Sequence, residues 1–130
     1  MEQAYRIIIA GTRDFNDYDM LYQELSAFVN IIADNVSNQN QIEFVSGTAR
    51  GADTLGEKFA DETGYPVKRF PAKWNKYGKA AGPIRNEQMA EYASEKNGVL
   101  FVFWDGKSRG TKSMIKIAEM YGLEIHIIKY

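Results

Sequence analysis

The chain has no cysteine, a single histidine, three prolines and no apolar run long enough to cross a bilayer. The missing cysteine excludes a disulfide framework and any thiolate metal site. With His126 as the sole histidine, histidine-based zinc centres and serine–histidine triads are excluded as well. His126 falls in the last strand-like run and reads as a strand-surface or core-edge residue. Spanning a membrane takes about 20 consecutive apolar residues, which the sequence never offers. Neither charge sign dominates: 16 basic and 17 acidic residues leave a net charge of −1. That is unlike the broad basic surface of a general nucleic-acid binder. Residues Met1 to Arg6 lack the basic and apolar regions of a signal peptide, so a cytoplasmic location is the expectation. At 130 residues with 45% hydrophobic content, the chain suits one domain, 1–130, with a substantial core.

What is present is a regular alternation of short apolar runs and helical periodicity. Tyr5 to Ala10 is nearly continuous in apolar, β-branched residues and reads as a buried parallel strand. From Asp17 to about Val36, Leu21, Leu25, Phe28, Val29 and Ile32 recur at helical spacing, with Asn16 or Asp17 as cap. Strand two follows at 41–45, helix two at 52–63 and strand three at 66–70. Residues 71–81 form the longest irregular segment, after which Pro83 fits the first turn of a helix reaching about Glu95. Strand four at 99–103, helix four at about 110–121 and strand five at 123–128 complete the pattern. Five strands alternating with four helices imply an α/β fold: a five-stranded parallel sheet with helices on both faces. Periodicity does not impose the strand order; we expect 3-2-1-4-5.

The glycines divide into two sets. Gly64, Gly98 and Gly122 stand between a helical stretch and the next strand, where a left-handed cap is needed. Gly11, Gly47, Gly51, Gly82, Gly106 and Gly110 stand after strands, at the turns where such folds bind phosphate-bearing ligands. All these turns emerge at the carboxyl edge of a parallel sheet. Segments 11–16, 46–53, 71–86 and 104–112 carry nine basic residues against three acids, a basic rim on an otherwise acidic body. That arrangement attracts a localised anion.

Each turn carries its own chemistry. Gly11, Thr12 and Arg13 form a short turn that lets backbone approach a ligand. Ser46, Gly47, Thr48, Arg50, Gly51 and Asp53 put two glycines and two hydroxyls at a helix N-terminus, a phosphate-favouring place. This is not a Walker A loop, because the Gly-Lys-Ser/Thr ending is missing. Asp53 serves there either as a cap or as a ligand contact. Arg85 and Asn86 fall in the first turn after Pro83, where a cation is disfavoured by the helix dipole unless an anion lies between them. A salt bridge from Arg85 to a neighbouring acid is the competing reading. Asn86 could read a ribose or base edge with its amide. Asp105 ends a buried strand and could accept from ribose hydroxyls, while Gly110 and Thr111 open the last helix. Trp74 and Tyr77 either stack on a base or form the packing core of a lid.

Together these turns resemble the SLOG superfamily, the Rossmann-like group that includes the LOG nucleotide hydrolases and the Smf/DprA DNA-processing proteins, and within it the YspA/YpsA-related branch. The residues that carry the resemblance are Ile9 to Arg13, Ser46 to Asp53, Trp74 with Tyr77 to Asn86, and Arg109 to Thr111. It implies a pocket for a nucleotide or nucleotide derivative at the sheet's carboxyl edge. The LOG enzymes carry Pro-Gly-Gly-x-Gly-Thr-x-x-Glu, whose glutamate serves N-glycosidic cleavage. Here Gly110-Thr111 matches, but Met114 holds the glutamate position. Methionine neither takes a proton nor stabilises an oxocarbenium charge. Asp105 and Glu87 are the substitutes available for catalysis.

The expectation is therefore a binding module, sensor or sequestering, for an ADP-ribose- or NAD-like compound or a nucleoside phosphate. It would need no further cofactor and no metal. Gly47 to Gly51 and Gly110-Thr111 would hold phosphate, with Arg13, Arg50 and Arg85 supplying charge. A nucleotide hydrolase is the first alternative. Single-stranded nucleic-acid binding is the second, for which Lys73, Lys76 and Lys79 interleave with Trp74 and Tyr77. Self-association is common in the wider superfamily, which makes a homodimer plausible.

Overall fold

The computed structural model describes residues 3–130. Strands Tyr5–Gly11 (β1), Ile42–Ser46 (β2), Val67–Arg69 (β3), Asn97–Trp104 (β4) and Glu124–Lys129 (β5) form one sheet in the order β3-β2-β1-β4-β5. Every pairing is parallel, with Ile7 of β1 set between Phe44 and Val99. Helices Tyr18–Ile32 (α1), Ala52–Thr63 (α2), Trp74–Tyr77 (α3), Ala81–Ser94 (α4) and Arg109–Met120 (α5) connect them. Among the described residues no helix is long and apolar enough to cross a membrane.

The central strands are apolar without interruption because both faces are covered. Successive side chains of β1 point to opposite faces. Ile7 and Ile9 join Phe44, Phe101 and Phe103 under Leu21, Leu25 and Phe28 of α1 and Phe59 of α2. Ile8 and Ala10 join Val45, Leu100 and Val102 under Met89, Ala90 and Ala93 of α4 and Met114 and Ala118 of α5. A fully buried side chain of this size contributes about 1.5–3 kcal/mol. His126 lies at the core edge, stacked on Phe101 with ring centroids 4.4 Å apart and paired with Glu124 at 2.5 Å.

Several boundaries differ from the sequence expectation. Asp17 caps α1 through its carboxylate, which accepts from the Met20 amide at 3.0 Å. That helix stops at Ile32, and Ala33–Asn35 tighten into a 3₁₀ turn. Gly64 and Gly122 adopt the left-handed conformation, at φ 82° and 72°. Gly98 does not; it is the second residue of β4. A Cβ there would stand 2.5 Å from Leu123 and 2.8 Å from the Ala93 carbonyl, so this glycine serves close helix–strand packing.

Segment 71–81 is more ordered than its composition suggests. It holds α3 and a 3₁₀ turn at Gly78–Ala80 that runs directly into α4. Because α4 starts at Ala81, Pro83 is its third residue and Arg85 its fifth. Arg85 and Asn86 therefore lie in the second turn, beyond the reach of the helix-dipole argument.

Candidate functional site

The four β–α turns meet at the carboxyl edge of the sheet and enclose a cleft of about 490 Å³, with a second cavity of about 430 Å³ beside it. The first cavity lies between the starts of α4 and α5. Gly11, Thr12 and Arg13 of the first turn, Asn86 of α4, and Gly110 and Thr111 of α5 line it. Its floor includes Met89 and Met114, which belong to the buried core. The second cavity is bounded by Gly47, Thr48, Pro71 and Ala72. Arg13, Ala49, Arg50, Trp74 and Arg85 line both.

The loop after β2 is built by its own side chains. Ser46 is buried; its hydroxyl donates to Glu57 at 2.6 Å and accepts from the Thr48 amide at 3.0 Å. Glu57 is held in turn by Arg69 at 2.9 Å. Thr48 is the one non-glycine residue with positive φ, 62°, among those described, a strained conformation for a β-branched residue. Gly51, at φ 83°, brings the start of α2 against β1: a Cβ there would lie 2.5 Å from the Thr12 carbonyl.

Asp53, 5% exposed, accepts from the Ala49 amide at 3.2 Å, and the Gly47 amide adds a favourable effect on its ionised form. Burial pushes its carboxyl up to about 6, against the lowering effects of those amides and of the Arg85 charge. The consequence for phosphate is direct. The amides of Thr48 and Ala49, which a phosphate cradle would use, are already taken by Ser46 and Asp53. The anion-attracting part of this site lies in its arginines.

Arg85 donates from Nε to Asn86 Oδ1 at 2.9 Å and from a terminal nitrogen to the Gly47 carbonyl. Gly47 has to lack a side chain here, because a Cβ would stand 2.7 Å from that guanidinium and 2.9 Å from the Asp53 carboxylate. Burial lowers the proton affinity of Arg85; nearby Asp53 raises it, and Arg13 lowers it again. Among the described residues, no carboxylate lies within 4.0 Å of Arg13, Arg50 or Arg85. Arg13 and Arg50 are exposed. The exposed ring of Trp74 stands over Gly82, with its edge 3.4 Å from where a Cβ would be.

Of the residues singled out in the sequence, Ser46, Gly51, Lys73, Lys76, Tyr77, Lys79, Asp105 and Glu87 do not line either cavity. Asp105 accepts from the Lys107 and Ser108 amides at 2.8 and 2.9 Å, bonds that hold its carboxyl below the usual range. It shapes the turn that lets Ser108 cap α5. Glu87 accepts from Tyr121 on the outer side of α4. Met114 occupies its position as part of the apolar floor. Sequence reasoning missed Met89, Ser108, Pro71 and Ala72. Met89 was findable, since it lies four residues after Arg85 on the same helix face. Pro71 and Ala72 carried no signal of their own. Among the described residues no group of three or more histidines and carboxylates is gathered as a metal would require.

A family model described as YAcAr, the YspA, cpYpsA-related SLOG family, matches residues 5–77. The chain belongs to the YspA, cpYpsA-related SLOG family. The match takes in Arg13, the Gly47–Gly51 loop and Trp74, and ends before Arg85 and α5. The chain is similar to the Gene 61 protein of Mycobacterium phage D29, at 28% identity over 126 residues, covering 92% of this chain and 93% of that protein. Its fold is similar to that of the DNA processing protein A (DprA) of Streptococcus pneumoniae, with a TM-score of 0.66 at 18% identity. That alignment covers 98% of this SLOG chain but spans about half, 51%, of the DprA chain.

Proposed function

We propose that the cleft binds a nucleotide or nucleotide derivative, of the ADP-ribose or NAD type or a nucleoside phosphate, as a sensor or sequestering module. The observation that carries this reading is the convergence of Arg13, Arg50 and Arg85 on one cavity with no carboxylate partner within ion-pair distance among the described residues. Guanidiniums with no carboxylate in ion-pair contact around a concavity favour a phosphate, which they bind with short, charge-assisted bonds. The rest of the cavity suits a nucleoside. The Met89 and Met114 floor offers apolar contact, and Asn86 and Thr111 offer polar contacts for a base or ribose edge.

A thermal-shift panel of AMP, ADP, ADP-ribose, NAD and other nucleoside monophosphates tests the reading. A ligand at 100 times its Kd adds about 2.7 kcal/mol, several degrees for a domain of this size. The expected result is a shift with at least one nucleotide that Arg85→Ala, measured against its own ligand-free midpoint, loses. A flat panel on folded protein rejects the reading.

Single-stranded nucleic acid is the second reading. The exposed Trp74 and Tyr77 stand among Lys73, Lys76 and Lys79 on the rim, with Lys76 5.1 Å from the Tyr77 ring. Aromatic platforms interleaved with lysines suit stacking and backbone contacts. Oligonucleotide affinity that falls steeply with salt would favour it over the small ligand. Multiple turnover of a bound nucleotide would favour the hydrolase alternative, for which Asp53 is the cavity carboxyl with a raised pKa.

A further inference from the structure

We propose that the cleft is built for a ligand with an organic group on each side of a diphosphate: the nucleoside lies in the first cavity, the diphosphate on the arginines, and a compact polar group in the second cavity beside Pro71 and Ala72. This rests on the nucleotide reading above and specifies the ligand class. The site is partitioned into two parts. The two cavities, about 490 and 430 Å³, meet along a wall that contains Arg13, Arg50, Arg85 and Trp74. A pocket of several hundred Å³ already suits a whole small ligand. A nucleoside monophosphate held in the first cavity would thus leave the second to water.

Charge agrees with the partition. Three guanidiniums face the junction with no ion-pair partner among the described residues. A diphosphate esterified at both ends carries two negative charges, whereas a phosphodiester carries one.

The two cavities also differ in chemistry. The first has the thioether floor and the buried Asn86, whose carbonyl oxygen accepts from Arg85 while its amide nitrogen has no protein acceptor among the described residues. Those are contacts for a flat, hydrogen-bonding ring. The second is walled by Thr48, Gly47, Pro71 and Ala72, with no large apolar surface besides the shared Trp74. That wall suits a sugar-sized polar group. Its shape is set in advance, because Thr48 is held in its strained conformation by Ser46, which is itself bonded to Glu57.

The experiment is calorimetric titration of the full chain with AMP, ADP, ADP-ribose, NAD and a dinucleotide joined by one phosphodiester. Each titration is repeated on Ala72→Trp, which adds bulk to the wall of the second cavity, and on the milder Ala72→Leu. The expected result is that ADP-ribose or NAD binds at least about tenfold more tightly than ADP. Ala72→Trp should remove that gain and leave ADP affinity unchanged. If Ala72→Trp does not fold, Ala72→Leu should reduce the gain in part. Equal affinity for ADP and the two-ended ligands, or an equal loss for all of them in the Ala72 variants, overturns the proposal and leaves the nucleotide reading standing. Tightest binding of the phosphodiester dinucleotide overturns it in favour of nucleic-acid ends. No binding of any compound overturns both.

Discussion

Replacing Asp53 by asparagine should change how the stability of this protein depends on pH. The carboxyl is 5% exposed, so solvent screening takes little from the cost of its charge. Burial raises it from 3.8 to about 6 although Ala49, Gly47 and Arg85 all favour the ionised form. Two pKa units correspond to roughly 3 kcal/mol. Because the native value lies above the unfolded one, the native state holds its proton more tightly. The associated stability is fully present below the unfolded value of 3.8 and is lost as pH rises through about 6. Asp53→Asn keeps an oxygen to accept from Ala49 but cannot ionise. Urea unfolding from about pH 4 to 8 should therefore show the two proteins close at the acid end. The variant should gain on the parent by up to roughly 3 kcal/mol toward pH 8, less whatever the carboxylate contributed to holding Arg85. Parallel profiles across the whole range would refute the reasoning, since they would mean that Asp53 titrates alike in both states.

Three further outcomes follow from the same geometry. An anion bound at Arg85 offsets the positive charge that lowers Asp53, so binding should take up a proton. Affinity should then fall as pH rises above about 6, and Asp53→Asn should flatten that dependence, as titrations in buffers of different ionisation enthalpy would register. Gly47→Ala puts a methyl 2.7 Å from Arg85 and 2.9 Å from Asp53; it should cost about 1–3 kcal/mol in urea unfolding and weaken nucleotide binding by displacing the guanidinium. Asp105→Ala should lower the melting temperature near neutral pH and lose that effect in acid, because its carboxyl is held down by the Lys107 and Ser108 amides. Nucleotide affinity should persist in that variant, since Asp105 lines neither cavity.

The parallel sheet and its two helical layers were legible because the apolar runs are continuous only where a strand is covered on two faces, as at Ile7-Ile8-Ile9; the strand order agrees with the expected 3-2-1-4-5, although no apolar run dictates it. Gly64 and Gly122 were legible as caps because a left-handed turn leaves few other choices. Gly98 was misread for the same reason: a glycine before an apolar run looks like a cap, and only the position of Leu123 and Ala93 shows that it relieves a clash. The candidate site was legible as a set of turns but not residue by residue. Aspartate and serine after a strand serve equally as ligand contacts and as braces for their own loop. Asp105, Ser46 and Asp53 all brace loops, a distinction that rests on which amides their oxygens meet. The helical turns at 74–80 were hidden because lysine, tyrosine and glycine there carry no apolar period.

The central claim is that arginines without a carboxylate in ion-pair contact make this cleft an anion site for nucleotides. Arg13 and Arg50 offer the most direct test, since both are exposed and have no ion-pair partner among the described residues, so their removal should leave the fold intact. The measurement is calorimetric binding of ADP-ribose to the parent and to the Arg13→Ala/Arg50→Ala double variant, with both melting temperatures recorded. The account predicts saturable one-to-one binding in the parent, at least about tenfold weaker in the variant, at unchanged melting temperature. Equal binding by the two proteins, or none by the parent, would contradict it.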